Sequence, residues 1–337
     1  MPTRIGINGF GRIGRLTFKT INQYHANDLE IVAINDLTDT RTNAHLLKWD
    51  STYGRYPAEI EVTDTSFRVG GHEVKVFTER EPGNIPWRSV GVDIVIESTG
   101  LFTDGPKAAA HMKGGAKKVL ISAPARNEDV TIVLGVNEQK YDRSKHNIIS
   151  NASCTTNAIA PIVKVLNDSF GVAKGLMTTV HSYTNDQRIL DTVHRDLRRA
   201  RAAAMNIIPT TTGAASLVGT LIPDLKGKIH GLSLRVPTPT VSVIDFVGDM
   251  KQDVSLDRVV QALRAACDGP MKNIMEYTEE QLVSTDFKGN PHSSIIDGPS
   301  TMVIGGNMVK VIGWYDNEWG YSCRLGDLAA FVAQKGL

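Results

Sequence analysis

A glycine-spaced turn close to the amino terminus constrains this chain more than any other feature. Residues 4–8 read as a strand, and Asn8-Gly9-Phe10-Gly11-Arg12-Ile13-Gly14 follows directly, with glycine at the three fixed places of G-x-G-x-x-G. Apolar residues then return at helical spacing across residues 11–23, among them Ile13, Leu16 and Ile21. In such a strand–turn–helix the first glycine permits the tight turn. The second lets a pyrophosphate approach the backbone, and the third lets helix and strand pack closely. The start of the helix adds free N–H groups and positive partial charge, which suit an anion. Residues 30–35 read as a second strand, and Asp36 ends it, 22 residues beyond Gly14. A carboxylate at that place accepts hydrogen bonds from an adenosine ribose. A bare glycine-rich turn would explain the motif alone, but not strand, helix and acidic residue together. The reading is therefore a dinucleotide site. The Asp36 charge opposes a 2′-phosphate and Leu37 offers it no donor, which points to NAD rather than NADP.

The rest of the first half keeps the alternation. Residues 92–97 and 119–122 are further apolar runs of strand type, and strand–helix repetition implies parallel strands joined by crossover helices. Residues 58–63 and 73–78 alternate with polar residues on either side of Val69-Gly70-Gly71 and read as an antiparallel addition. Beyond Ser150 the pattern changes. Residues 154–169 and 256–267 read as helices, and longer strands occupy 176–183, 229–235, 241–249 and 308–315. Gly305-Gly306-Asn307 is a hairpin turn joining 302–304 to 308–315. The expected fold is α/β: a Rossmann-type parallel-sheet domain over residues 1–150, then an α+β domain with a mainly antiparallel sheet over 151–318. The last helix, 319–337, is expected with the first domain, although its pattern alone fits either. A length of 337 residues accommodates two domains.

Composition excludes several function classes. Lys plus Arg is 37 and Asp plus Glu 36, a net charge of +1, so no general field favours nucleic acid or an anionic membrane. No apolar run approaches the roughly 18 residues of a membrane span. The first ten residues are expected to begin a strand rather than an export signal. Cys154, Cys267 and Cys323 are widely spaced, and neither C-x-x-C nor H-E-x-x-H occurs. That argues against a disulfide framework and a metal site, and fits a reducing cytoplasm.

One cysteine stands apart. Ser153 is a good helix N-cap and puts Cys154 in the first turn, where unpaired N–H groups stabilise a thiolate. The expectation is a Cys154 pKa below its ordinary value of about 8.5. Cys267 and Cys323 read as inert packing residues. His181 ends a strand 27 residues after Cys154, and helix, turn and returning strand bring the two to one sheet edge. A strand-end histidine alone is more often structural than a base.

These residues carry a resemblance. ASCTTN, HSYTNDQ, LRRARAA, TGAA, RVPTP and WYDNEWGYS, in that order behind INGFGRIGR, resemble the phosphorylating glyceraldehyde-3-phosphate dehydrogenases through essentially the whole chain. The resemblance implies that Cys154 attacks an aldehyde, that His181 is the general base, and that hydride passes to NAD before phosphate cleaves a thioester. It implies glyceraldehyde 3-phosphate and inorganic phosphate as substrates, a place in glycolysis or gluconeogenesis, and a homotetramer with the 183–204 loop near a subunit interface. Thr184 and Arg235 would hold the substrate phosphate. Ser153, Thr155, Thr212 and Gly213 would hold inorganic phosphate, with Arg199 near both; only motif spacing separates Arg199 from Arg198. Arg12 and Ile13 would offer backbone N–H groups to the pyrophosphate beside Asn8, Gly9 and Gly11. Asp36, Leu37, Arg80, Thr99, Gly100, Phe102, Ser122 and Asn185 would meet the cofactor, with Asn317 and Tyr321 on its nicotinamide side.

The chain departs from the family's common pattern at Ala158, where many members have a second cysteine, at Ser216, where lysine is frequent, and at Thr192-Val193, where coenzyme preference varies. Three other readings compete. An erythrose-4-phosphate dehydrogenase would need weaker phosphate binding, which RVPTP and TTTGAA oppose. A Cys/His hydrolase would not need Asp36 and Asn317. A nucleic-acid-binding role finds no support in the charge.

Overall fold

The computed structural model describes residues 1–337. Its first sheet explains the near-continuous apolar runs of the first half. Ile5, Ile7, Ala33, Ile34, Ile94, Val95, Ile96, Val119 and Leu120 are fully buried, as expected for strands covered on both faces. The strands lie in the order Val130–Thr131, Ile148–Ser150, Lys118–Ile121, Ile94–Glu97, Thr3–Asn8, Leu29–Asn35, His72–Phe77, Ser66–Val69, Ile60–Val62. All are parallel as far as His72–Phe77, and the last two add antiparallel. The two alternating segments form the expected antiparallel addition, but with a third strand between them. Ser66–Val69 inserts between them, and the tight turn at Gly70 (φ +57°) and Gly71 (φ +88°) joins it to His72–Phe77. Two residues at positive φ close a hairpin only between the residues that flank them directly.

This sheet belongs to a unit made of Met1–Ile132, Gln139–Ala152 and Ser322–Leu337. Helix Arg12–Tyr24 buries Leu16, Phe18 and Ile21, each such side chain contributing about 1.5–3 kcal/mol. The Phe10, Phe18 and Phe67 rings stand 5.9–6.2 Å apart, so the glycine turn is pinned to both helix and sheet by Phe10. Most of the last helix, Trp319–Lys335, packs here. His25 Nε2 meets Asp327 Oδ1 at 2.6 Å, Thr20 Oγ1 donates to the Ser322 carbonyl, and Phe331 packs edge-on against Tyr141.

The second unit comprises Val133–Glu138 and Ser153–Tyr321. Its sheet runs Ile208–Thr211, Ile229–Val236, Val172–Ser182, Ser242–Met250, Met308–Tyr315, Ser294–Asp297, Met275–Thr278, with Met302–Ile304 also on Met308–Tyr315. Most pairs are antiparallel, but Val172–Ser182 runs parallel to Ile229–Val236, and Met275–Thr278 parallel to Ser294–Asp297. Burial alternates strictly along Ser242–Met250, so one face of the sheet is buried. Helix Cys154–Phe170 packs against this sheet and fully buries Ala158, Ile159, Ile162, Val163 and Leu166. Residues 133–138 group with this unit, not with the 1–150 stretch expected from the sequence. A Cβ at Gly135 would lie 2.9 Å from both Met271 Sδ and Ile274 Cδ1, so the segment is seated tightly on the second unit.

Candidate active site

Two clusters answer to the predicted residues, one in each unit. In the first, the carboxyl ends of neighbouring parallel strands carry Asn8, Asn35, Glu97 and Ile121. The chain runs outward to one side from Thr3–Asn8 and later returns on the other at Ile94–Glu97, and ligands of open α/β sheets bind at such a switch point. A cleft of about 360 Å³ lies there, with Asn8, Gly9, Gly11, Asp36, Leu37, Arg80, Thr99 and Phe102 among its walls.

The three glycines have distinct physical roles. Gly9 sits at φ +88°, and a Cβ on it would fall 2.6 Å from the Thr99 nitrogen. A Cβ on Gly14 would fall 2.1 Å from the Gly9 carbonyl oxygen. A Cβ on Gly11 would meet nothing within 4 Å, so its absence serves no packing need of the chain itself. Gly11 is also the N-cap of Arg12–Tyr24, and no side chain caps that helix. This open, uncapped helix start suits a dinucleotide pyrophosphate. The Asp36 carboxylate accepts from the Phe10 and Thr38 N–H groups at 2.8 and 3.0 Å, which fixes it at the cleft wall. The Arg12 side chain turns to Asp50 at 2.7 Å. Gly100 follows Thr99 at φ +73°. Ser122 stands one strand along, its N–H bonded to the Glu97 carbonyl.

In the second unit, Ser153 caps the helix Cys154–Phe170, its Oγ accepting from the Thr156 N–H at 3.0 Å. Cys154 Sγ stands 3.5 Å from His181 Nε2. His181 Nδ1 lies 2.6 Å from the Ser182 carbonyl. That oxygen can only accept, so we assign the ring proton to Nδ1 and leave the Nε2 lone pair facing sulfur. His181 and Arg235 are register partners on adjacent parallel strands, and Arg235 Nη1 approaches Nδ1 to 2.6 Å. Both are donors in this tautomer, and Arg235 Nη1 donates instead to the same Ser182 carbonyl at 3.1 Å. Arg235 Nε is buried without a partner.

The electrostatics differ from the sequence expectation. Burial pushes the Cys154 thiol up, against the opposing pull of Arg235 and of the Thr155 hydroxyl. Partial exposure of the residue moderates that penalty. Burial, with Arg235 and Arg199 beside it, holds His181 down to about 3 despite its bond to Ser182. Both shifts favour the neutral forms of the thiol and the imidazole. The helix start favours a thiolate, but it does not outweigh the desolvation that the surrounding fold imposes.

The other predicted residues take these places. Thr155 is buried, its hydroxyl 3.0 Å from Tyr315 Oη. Arg199 is half-buried and bonded to Thr210 and Asp186, whereas Arg198 is exposed. Thr184 and Thr212 are half-buried; Thr212 Oγ1 accepts from the Ala214 N–H at the start of helix Ala214–Leu221, whose N-cap is Gly213. Asn317 Oδ1 accepts from Ser242 Oγ, which itself accepts from the Ser182 N–H next to His181. Tyr321 is buried, and Asn185 is exposed.

Sequence reasoning missed Tyr315. Its hydroxyl bridges Thr155 and Thr179, and its ring stands edge-on to His181 at 6.0 Å. Nothing local marks a strand tyrosine as a neighbour of a residue 160 positions away. It also missed two strained residues, Ala152 (φ +57°) just before the cap and Val241 (φ +66°), whose carbonyl accepts from Ser182 Oγ. Such conformations cost about 1–3 kcal/mol each and cluster at functional sites.

Comparison with known proteins agrees with this geometry. Residues 3–105 match the family model of the glyceraldehyde 3-phosphate dehydrogenase NAD binding domain, and residues 153–317 that of the C-terminal domain. The chain is 58% identical over 337 residues to the glyceraldehyde-3-phosphate dehydrogenase of Geobacillus stearothermophilus, covering 100% of both chains. It is 58% identical over 335 residues to glyceraldehyde-3-phosphate dehydrogenase 2 of Streptomyces avermitilis, covering 99% of this chain and 100% of the other. It is 56% identical over 337 residues to glyceraldehyde-3-phosphate dehydrogenase 1 of Bacillus subtilis, covering 100% of both. With a dinucleotide turn in one unit, a thiol–imidazole pair in the other, and relatives matched from end to end, this chain belongs to the glyceraldehyde-3-phosphate dehydrogenase family.

Proposed function

We propose that the protein oxidises D-glyceraldehyde 3-phosphate to an acyl phosphate with NAD and inorganic phosphate. The observation that carries this reading is Cys154 Sγ at 3.5 Å from Nε2 of a histidine flanked by an arginine whose buried Nε has no partner. A neutral imidazole at that distance can take the thiol proton as sulfur bonds to the aldehyde carbon, and then return it to the carbonyl oxygen, which gives the hemithioacetal and restores the free Nε2. The hemithioacetal then loses its O–H proton to His181 Nε2 as the C–H bond leaves with its electron pair, giving a thioester on Cys154. When bound, NAD supplies the acceptor for that hydride. A phosphate oxygen attacks the thioester, the C–S bond breaks, and the thiolate departs. Arg235, with its unpartnered Nε, and Thr184 suit the substrate phosphate. Ser153, Thr155, Thr212 and Gly213 suit inorganic phosphate, and half-buried Arg199, which lowers the His181 pKa, suits either anion.

In this reading the unit bearing the glycine turn holds NAD through Asn8, Gly9, Gly11, the backbone of Arg12 and Ile13, Asp36, Leu37, Arg80, Thr99, Gly100, Phe102 and Ser122. The other unit holds the aldehyde, with Asn185, Asn317 and Tyr321 assigned to the nicotinamide end of the cofactor. The enzyme is a cytoplasmic homotetramer. Ile189, Leu190, Val193 and Leu197 are all more than 70% exposed, and an apolar loop of that kind is what a subunit contact covers.

The test is an initial-rate assay of NAD reduction with glyceraldehyde 3-phosphate, run with and without phosphate or arsenate. Cys154→Ser should bind NAD normally yet show almost no turnover, because a hydroxyl is scarcely ionised at neutral pH. Near-native turnover in that variant would end the covalent mechanism.

A further inference from the structure

Beneath the dinucleotide cleft lies a buried polar network that the reaction does not use. Glu97 ends its strand with 2% exposure, and His111 is fully buried. Glu97 Oε1 accepts from the Thr99 N–H at 2.8 Å and from Thr99 Oγ1 at 2.5 Å. Glu97 Oε2 accepts from Asn8 Nδ2 at 2.5 Å and faces His111 Nε2 at 3.0 Å. Asn8 Oδ1 accepts from Asn35 Nδ2 at 2.8 Å, and the Asn35 amide bonds both the N–H and the carbonyl of Glu79.

The polarity of this network is locked at both ends. At one end the Trp87 indole N–H donates to His111 Nδ1 at 3.0 Å. An indole nitrogen can only donate, so the ring proton of His111 sits on Nε2 and points at Glu97. At the other end the Glu79 backbone presents one donor and one acceptor, which admits only one orientation of the Asn35 amide. That orientation sets the Asn8 amide, whose NH2 then also points at Glu97. The Thr99 N–H, the Asn8 NH2 and the His111 ring N–H all point at Glu97, and a carboxylate accepts from all three. An amide there would set a donor against a donor. Flipping Asn8 and Asn35 would only move the clash to Glu79, and moving the His111 proton would only move it to Trp87.

We propose that Glu97 is a positioning residue for NAD: its carboxylate fixes Asn8, Thr99 and, through Asn8, Asn35, and so sets the shape of the dinucleotide cleft. Asn8, Asn35, Glu79 and Thr99 are all walls of that cleft, whereas Glu97 and His111 are not. The inference rests on NAD lying there.

The experiment measures NAD dissociation constants by calorimetry for wild type, Glu97→Gln, His111→Gln and Asp36→Ala, with Cys154 alkylation rates in the NAD-free enzyme alongside. Glu97→Gln should weaken NAD binding about tenfold or more, because a buried donor loses its acceptor. His111→Gln, which reaches the cleft only through Glu97, should weaken it by a smaller factor, about threefold. The KM for NAD should rise while kcat at saturating NAD and the alkylation rate stay within about twofold; a merely structural role would lower kcat and change the alkylation rate together with the loss of NAD affinity. A folded Glu97→Gln variant with wild-type NAD affinity overturns the proposal. If Glu97→Gln does not fold, unchanged affinity in His111→Gln overturns it instead. Asp36→Ala separates the two layers of the argument. If it weakens binding and Glu97→Gln does not, only the positioning role fails; if neither does, the cleft assignment fails and the proposal falls with it.

Discussion

The glycines at 11 and 14 allow the sharpest test of the dinucleotide turn, because the structure assigns them opposite reasons for lacking a side chain. Alanine at position 14 would place Cβ 2.1 Å from the Gly9 carbonyl oxygen, more than 1 Å inside an ordinary contact. Backbone must move, because neither atom belongs to a flexible side chain. Overpacking of this kind costs about 1–3 kcal/mol, and here it falls on the turn itself, so stability and NAD affinity should drop together. Alanine at position 11 meets nothing within 4 Å, at an ordinary φ of −71°. The poorer N-cap costs up to about 1 kcal/mol, and the loss of glycine freedom in the unfolded chain returns about 0.4–1 kcal/mol. Stability should therefore stay within about 1 kcal/mol of wild type. A methyl group where a pyrophosphate must touch the backbone carries the same 1–3 kcal/mol on binding, about a 5- to 150-fold loss of NAD affinity. Urea midpoints at constant slope give the first quantity and calorimetric titration the second. A Gly11→Ala variant that binds NAD within twofold of wild type would refute the placement of the pyrophosphate at this helix start.

His181→Asn should slow hydride transfer by about 10²–10⁴-fold and lower Cys154 alkylation at neutral pH, read by single-turnover absorbance and by iodoacetamide labelling; an unchanged alkylation profile would show that the pair is uncoupled. Wild type should prefer NAD in kcat/KM, and Asp36→Gly with Leu37→Thr should narrow the gap chiefly by improving NADP use; equal wild-type efficiency would mean that Asp36 does not read the ribose. Acid should destabilise the fold through His181. The folded residue stays neutral down to about 3 while its unperturbed value is 6.5, so the unfolded chain binds a proton that the fold refuses, and stability falls as pH drops through that window. Urea midpoints between pH 7 and 4 should show a shallower decline for His181→Asn; identical slopes would place the neutral histidine elsewhere.

What the sequence by itself determined was local. Three glycines in a fixed spacing encode a turn because their need is local backbone geometry, and Asp36 follows at the distance that one helix and one strand impose. Ser153 announced a helix start because capping involves only the next three residues. Motif order carried the family, since each motif is read without knowing what packs against it. The antiparallel addition of residues 60–77 was legible, but its middle strand was not, because alternation marks a strand but not its partner, and the insertion of Ser66–Val69 depends on a two-glycine turn that pairs only its immediate flanks. Tertiary structure alone decided the chemistry of the resting thiol. A helix N-terminus lowers a cysteine pKa wherever it stands in water, yet the desolvation that raises the Cys154 pKa comes from strands distant in sequence, as does the Arg235 charge beside His181. The same holds for Glu97. Its donors come from Asn8, Thr99 and His111, and their directions are fixed by Trp87 and Glu79. Hydrogen-bond polarity is a property of a closed network, and no single stretch of chain contains it.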